Sequence, residues 1–176
     1  DRLVADTLSS PPGGQWGLTH DNFGRLFFSS AGGETAALNF QENPVYGQLD
    51  LDSQLAGDFN EVWPIIGTPD VQGGQARLRP DSTLNHFTAS CGQTVFRGDR
   101  LPPTLQGDLF ICEPVGRLIR RAKMYYHNGE AILKNAYDKR EFLSSSDMNF
   151  RPVNMATGPD GCLYIVDMYH GIIQES

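Results

Sequence analysis

A recurring phrase constrains this chain more than any other feature: a turn that carries glycine is followed at once by a run of large apolar residues. The copies are centred on Gly24, Gly116 and Gly161. Gly116 lies 92 residues after Gly24, which is two periods of 46, and Gly161 lies 45 residues after Gly116. A fourth copy is expected near residue 70, where residues 73–78 read Gly-Gly-Gln-Ala-Arg-Leu. The chain therefore repeats a unit of about 46 residues.

Repeats of roughly 40 to 50 residues, made of short strands and glycine turns, are typical of propeller blades, which bury their sheets against neighbouring blades. The 19 Gly and 11 Pro among 176 residues agree with many turns and argue against long helices. We predict an all-β chain that forms one partial β-propeller domain over 1–176. Blade-like units are expected near 15–30, 86–133 and 149–174. A β-sandwich with evenly spaced hairpins remains the alternative.

Two stretches interrupt the repeat. Residues 31–85 hold few strong strand runs and carry four X-Pro pairs, so we expect long loops that cover one face of the propeller. Residues 134–149 are polar and are expected to form an ordered loop with at most one helical turn. The chain starts without Met and ends in a segment that reads as strand, so we expect a piece of a longer protein.

Charge and hydropathy exclude two classes of partner. There are 14 basic and 21 acidic residues, a net charge of −7, so a nucleic-acid backbone would be repelled. The longest apolar runs, such as 162–166, are far shorter than the roughly 18 to 20 residues of a membrane helix. A soluble, folded chain that does not bind nucleic acid is therefore expected.

The three cysteines allow one disulfide. Cys91 and Cys112 flank a predicted hairpin, and a register shift of one or two positions would place them opposite each other. Two buried thiols are the alternative. The spacing, with no Cys-x-x-Cys pair, argues against zinc. Cys162 lies inside the last apolar strand and is expected in the core.

The histidines are scattered and build no metal motif. Among them, His170 follows Asp167-Met168-Tyr169 at the end of the strand predicted at 163–166, where a propeller opens onto its channel or a face loop. An imidazole there could act as a general base near neutral pH, whereas a surface or packing role is the alternative.

Arg151 stands between Phe150 and Pro152, just before the last predicted strand pair. A guanidinium in such a place could hold a carboxylate or phosphate by two parallel hydrogen bonds. It could equally cap the sheet edge against Asp147 or Asp167. The sequence carries no glycine-rich phosphate loop beside it and no Gly-x-Ser-x-Gly nucleophile motif.

Several phrases together resemble one enzyme family. They are residues 15–19 and 24–29, Arg97-Gly98-Asp99, residues 107–114, and residues 150–153 leading into 158–169. They resemble the glucose/sorbosone-dehydrogenase type of β-propeller, and more closely the large bacterial proteins termed membrane-bound dehydrogenases that are common in planctomycetes. The likeness is strongest over 86–174 and weak over 31–85.

The resemblance implies a six-bladed propeller of which this chain supplies the later blades. It implies export beyond the cytoplasmic membrane, pyrroloquinoline quinone (PQQ) and calcium near the axis, and oxidation of a sugar or alcohol. A cytochrome c or a membrane complex would be the partner, and membrane association would come through it. Arg151 matches an arginine that holds the quinone in the family.

The chain also departs from the family. The family's second arginine is Asn149 here, its lysine is Val115, and Arg117 is the nearby substitute. The catalytic histidine belongs to an earlier blade, and the chain has no Cys-x-x-Cys-His haem motif.

Two other functions are therefore kept beside the dehydrogenase. One is a non-catalytic propeller module that binds carbohydrate or docks in a respiratory or membrane complex. The other is a lactonase-type hydrolase with carboxylates around calcium, to which Asp160 and Asp167 could contribute, although turn and strand roles would equally explain both residues.

Overall fold

The computed structural model describes residues 16–30, 35–40, 55–68, 71, 74–127 and 130–172. Across these residues the chain forms ten strands and two short 3-10 helices, and no α-helix. The strands build three antiparallel sheets that follow one another in chain order. The predicted all-β fold class is confirmed. No helix within the described ranges has the length and apolar character that a membrane crossing requires.

The first sheet contains β1 (Leu18–His20), β2 (Leu26–Ser30) and β3 (Thr35–Phe40), in that order. Gly24 adopts φ +80° in the turn before β2. The Asp21 carboxylate accepts the N–H groups of Phe23 and Arg25 at 2.8 and 2.9 Å, which fixes that turn. β3 lies in the stretch predicted to be loop, so that prediction is wrong there. Its two alanines and its asparagine are weak strand formers, and pairing along β2 supplies what local propensity lacks.

The second sheet is the centre of the described chain. Its strands are β4 (Cys91–Val95), β5 (Leu109–Glu113), β6 (Leu118–His127), β7 (Glu130–Asn135) and β8 (Leu143–Ser144). β7 pairs with the second half of β6, and β8 pairs with its start on the side away from β5. β7 and β8 therefore lie one after the other along the same edge of β6. The sheet has five strands but is four strands wide, as a propeller blade would be.

The third sheet is the hairpin of β9 (Pro152–Thr157) and β10 (Leu163–Asp167). Gly161 adopts φ +81° in its turn, which favours glycine there. β9 packs against β4 and β5 of the second sheet. Gly92 in β4 marks this junction, because a Cβ added there would lie 2.2 Å from the Val153 carbonyl oxygen.

Both faces of the second sheet are buried along β5. Along β5, alternate side chains enter two different cores, as strand geometry requires. Leu109 and Ile111 pack with Phe59, Phe87 and other residues of the irregular stretch before β4. Phe110 and Cys112 pack with Met155 of the third sheet. The second sheet is thus a middle layer, and every residue of β5 is buried.

Residues 55–90 are largely irregular where they are described, with isolated bridges and a 3-10 helix at Gly74–Arg77. The fourth copy of the repeat, predicted at 73–78, does not form a turn and strand, because this helix occupies its place. The Arg120 side chain of β6 holds the stretch to the sheet. It is fully buried, donates to the carbonyls of Phe59 and Glu61, and pairs with the Glu141 carboxylate.

Candidate functional site

Arg151 is a buried arginine at the start of the third sheet. Its side chain is 1% exposed. Nε donates to the His170 carbonyl oxygen at 3.0 Å, Nη1 donates to the Pro114 carbonyl oxygen at 3.0 Å, and Nη2 donates to the Gly171 carbonyl oxygen. These bonds tie the start of β9 to the chain after β10 and to the turn between β5 and β6. Arg151 therefore joins two successive sheets.

Arg117 is the last residue of the same turn. It is fully buried and adopts φ +57°, a left-handed conformation that few non-glycine residues adopt. Its Nη1 donates to the Val115 carbonyl oxygen at 3.3 Å, and Arg151 Nη1 lies 3.5 Å from the same oxygen. We call this group of Arg151, Arg117, Pro114 and Val115 the arginine clasp. The two arginines predicted to hold a cofactor are thus brought together.

Glu113 adds a buried carboxyl group beside the clasp. Its side chain accepts the backbone N–H groups of Thr88 at 3.0 Å, Ala89 at 2.9 Å and Val115 at 3.1 Å. Complete burial raises the pKa of this carboxyl, and the N–H bonds oppose that rise. Arg151 and Glu113 therefore bind the carbonyl and the N–H of one peptide, Pro114–Val115, and Arg117 binds the next carbonyl of the same turn.

His170 and Asp167 lie at the clasp end of the third sheet. Asp167 Oδ1 accepts the backbone N–H of Arg151 at 2.8 Å and that of Tyr169 at 2.9 Å, so this carboxylate fixes the chain on both sides. The imidazole of His170 is exposed, and its Nδ1 lies 3.0 Å from the Ile172 carbonyl oxygen. Only the carbonyl of His170 takes part in the clasp. Its catalytic role stays a prediction.

Asp160 lies at the opposite end of the same hairpin. It accepts the N–H of Cys162 at 3.1 Å and the hydroxyl of Tyr164 at 3.0 Å, and these bonds lower its pKa. Because β10 separates them by roughly 15 Å at about 3.3 Å per residue, Asp160 and Asp167 cannot bind one calcium ion. A calcium role for either residue on its own stays a prediction. Within the described ranges, no group of three or more His, Cys, Asp or Glu side chains could hold a metal ion.

Cys91 and Cys112 are directly opposite each other in the β4–β5 register, as predicted. Both are free thiols in the structure, as is Cys162, so the predicted disulfide is not formed there. Burial raises the pKa of Cys91 to about 12, and the Glu113 charge adds to the effect. Burial raises the pKa of Cys112 as well. Thiols of this kind react slowly at neutral pH.

The residues that organise this region escaped the sequence argument. Glu113 follows an apolar strand without a pattern that marks it as buried, and Arg120 reads as half of a surface basic pair. Arg120 instead lies near the rings of Phe59 and Phe87, at 5.3 and 4.8 Å from their centroids. A usable signal is that Glu113 and Arg120 each directly follow an apolar run, which is typical of strands buried on both faces.

The clasp does not fit PQQ as a directly bound group. A quinone with carboxylates needs guanidinium donors that reach it, whereas Arg151 and Arg117 are at most 1% exposed. Their Nε and Nη groups donate to main-chain carbonyls, those of Arg117 to Met148 at 3.1 Å and to Val115. The described residues thus assign these arginines a structural role at this end of the sheets.

An open cleft lies at the other end of the sheets. It holds about 430 Å³ between two turns, residues 97–100 after β4 and residues 157–161 between β9 and β10. The Arg100 backbone N–H donates to the Gly161 carbonyl oxygen at 3.2 Å, and Arg100 Nε donates to the Asp160 carbonyl oxygen at 3.0 Å. No local sequence pattern marks this cleft, because its residues come from two turns about 60 positions apart.

Comparison with known proteins gives a family and a structural neighbour. A family model described as "Domain of unknown function (DUF7133)" matches residues 2–176. No curated protein matches the chain. Among solved structures, the soluble aldose sugar dehydrogenase from Escherichia coli, in its apo form, is 17% identical over 86% of this chain, with a TM-score of 0.45. The chain spans 41% of the length of that enzyme.

Proposed function

The chain belongs to the family described as Domain of unknown function (DUF7133), and we propose that it supplies consecutive blades to the β-propeller of a sugar or alcohol dehydrogenase. Three antiparallel sheets in chain order support the blades, and the central sheet has the width of a blade. The phrases that resemble glucose/sorbosone dehydrogenases, strongest over 86–174, support the activity. We also propose that the complete propeller has six blades.

The position of Arg151 is the observation that carries this proposal. The resemblance expects an arginine where the last strand pair begins. Arg151 occupies that place, and Arg117 meets it at the Val115 carbonyl. Because their donors are bonded to carbonyls, both arginines serve as positioning residues in this proposal. They hold two blades together at the end where a redox site would stand.

The redox group and the catalytic base then come from other parts of a longer protein. PQQ with calcium is the cofactor that the proposal names for the whole enzyme, with a cytochrome c or a membrane complex as electron acceptor. The proposal also places the protein outside the cytoplasm. In that compartment Cys91 and Cys112 would form a disulfide, which their register permits. Thiol counting after denaturation without reductant would then find one free thiol rather than three.

The test is an oxidation assay of the full-length protein. The protein is incubated with PQQ and calcium, sugars and alcohols are supplied, and reduction of an artificial electron acceptor is followed. We expect reduction that requires both a substrate and PQQ. Folding is checked in parallel by circular dichroism. A folded protein that reduces no acceptor with any of these substrates would overturn the dehydrogenase proposal.

A second candidate function is a module that binds carbohydrate or docks in a complex without catalysis. The open cleft between the turns at 97–100 and 157–161 favours it, because it presents polar groups at a surface far from the clasp. Binding of a sugar without turnover in the same assay would support this candidate.

A further inference from the structure

We propose that the cleft between residues 97–100 and 157–161 is a binding site for a neutral sugar, separate from any redox site at the clasp end. The site does not rest on the dehydrogenase proposal, since occupancy of the cleft requires neither cofactor nor turnover. Three features of the cleft support this site: the junction of its two turns, the polar groups that face it and the aromatic ring that borders it.

The two turns are packed tightly and form one unit. A Cβ added at Gly98 would lie 2.0 Å from the Gly161 carbonyl oxygen, and one added at Gly161 would lie 2.0 Å from Asp99 Oδ1. Side chains are thus excluded where the turns meet. Arg97 anchors the first turn, because its guanidinium donates to Asn22 Oδ1 at 2.9 Å and to the Val95 carbonyl at 3.1 Å. The cleft is therefore preformed, which lowers the cost of binding.

The polar groups of the cleft suit hydroxyl groups. The side chains of Asp99 and Arg100 are 75% and 67% exposed and lie 3.8 Å apart. Within the described residues, Nη1 and Nη2 of Arg100 donate to no protein acceptor, since only Nε is bonded. Asp99 and Asp160 offer carboxylate acceptors. A sugar hydroxyl both donates and accepts, so neighbouring hydroxyls can bridge a guanidinium and a carboxylate.

Charge argues against an anionic ligand. Two carboxylates and one open guanidinium line the cleft, because the guanidinium of Arg97 is turned toward Asn22. A phosphate or carboxylate would approach both Asp99 and Asp160, which would oppose it. Arg100 in turn opposes a cation. A neutral ligand with many hydroxyls therefore agrees best with the cleft.

Tyr164 provides an apolar surface at the rim. Its ring lies over Gly158, where an added Cβ would be 2.3 Å from Tyr164 Cε2, and its hydroxyl donates to Asp160 Oδ2 at 3.0 Å. The residue is 55% exposed and contacts two residues that line the cleft, Gly158 and Asp160. Aromatic rings with one polar end are suited to sites that are partly apolar and partly wet. A ring beside convergent polar groups is the usual composition of a small-molecule site.

The experiment is a titration of the full-length protein with glucose, mannose, maltose and cellobiose, measured by saturation-transfer NMR and calorimetry. Arg100→Ala removes the open guanidinium, and Tyr164→Ala removes the ring. Arg140→Ala, at an exposed arginine on another loop, is the matched control. We expect at least one of these sugars to bind with millimolar affinity. Arg100→Ala and Tyr164→Ala should weaken that binding at least about tenfold, and Arg140→Ala should leave it unchanged.

Three outcomes would overturn the proposal. The first is that none of the four sugars binds to the folded wild-type protein. The second is that a sugar binds equally well to the Arg100→Ala and Arg140→Ala variants. The third is that glucose 6-phosphate binds more than about tenfold tighter than glucose. Tyr164→Phe keeps the ring and removes the hydrogen bond to Asp160. It serves as the second variant in case Tyr164→Ala does not fold. It should retain binding, and loss of binding in Tyr164→Phe alone would contradict a stacking role for the ring.

Discussion

At the scale of single residues, Arg151 and Arg117 show that burial decides what an arginine can do. A guanidinium whose donors are bonded to main-chain carbonyls stabilises the fold, whereas an exposed guanidinium can bind an anion. Both arginines satisfy carbonyls at the turn between β5 and β6, and Glu113 satisfies N–H groups around the same turn. The residue type and position were predictable from the sequence, but the burial of these side chains was not.

Loss of the Arg151 guanidinium should destabilise the protein. Arg151→Ala leaves the carbonyls of His170, Pro114 and Gly171 without their donor inside the protein. We expect the free energy of unfolding to fall by about 3 kcal/mol, the scale for buried bonds to a charged group. Chemical denaturation measures it, with Arg140→Ala as the control. Unchanged stability together with lost quinone affinity would contradict the structural role and assign Arg151 to the cofactor.

Glu113 should make stability depend on pH. Burial raises its pKa in the folded state, so its contribution is fully present below the unfolded pKa and is lost as pH rises through the folded pKa. Relative to Glu113→Gln, the wild type should lose stability as pH rises from about 4, by up to about 1.4 kcal/mol per pH unit. Denaturation of both proteins across pH measures this. A wild type that gains stability relative to the variant would show that the N–H bonds outweigh burial.

At the scale of elements, the junction between β4 and β9 holds the second and third sheets together. β4 contains a register shift between Cys91 and Thr94, and Gly92 within it adopts φ +46°. The Gly92 N–H donates to the Trp16 carbonyl oxygen at 2.8 Å, and its α-carbon faces the Val153 carbonyl. This glycine of the second sheet therefore contacts the third sheet and the segment that leads into the first sheet.

Two glycine substitutions separate packing from backbone strain. Gly24 and Gly92 both have positive φ, but an added Cβ at Gly24 would meet nothing within 4 Å. We expect Gly24→Ala to lower the free energy of unfolding by about 1 kcal/mol. Gly92→Ala should lower it by more than about 3 kcal/mol, because the new Cβ would also collide with backbone atoms. Urea denaturation compares them. Equal costs for the two substitutions would mean that the third sheet does not pack on β4 as described.

The β4–β5 pair should protect its two thiols from reagents. Thiolates are the reactive species, and the pKa of Cys91 is about 12. In the native, reduced protein we expect a maleimide to modify Cys162 first, and Cys91 and Cys112 only on unfolding. Mass spectrometry of peptides identifies the modified residues. If Cys91 were labelled as fast as Cys162, β4 would be accessible to the reagent, and the prediction would be wrong.

The strands most clearly predicted from the sequence are those whose side chains are apolar on both faces. β5 and β10 follow from runs such as Leu109-Phe110-Ile111, and the Cys91–Cys112 register follows from hairpin length. β3 was missed, because its stability comes from pairing with β2 rather than from its own residues. The cleft was missed for a related reason, since no local pattern joins two turns about 60 positions apart.

At the scale of the whole molecule, the three sheets define a layered order in which the second is buried between its neighbours. Its two cores receive the irregular stretch on one side and the third sheet on the other. The 46-residue period, the chain order of the sheets and the blade-like width of the second sheet agree with consecutive propeller blades. The arginine clasp and the cleft then lie at opposite ends of these blades and can serve different purposes.

A crystal structure of the full-length protein grown with PQQ and calcium tests this account most directly. We predict that the three sheets radiate in chain order around one axis and that further sheets close the ring. Arg151 should keep its bonds to the carbonyls of Pro114 and His170. Two sheets packed face to face as a sandwich, with no common axis, would contradict the account.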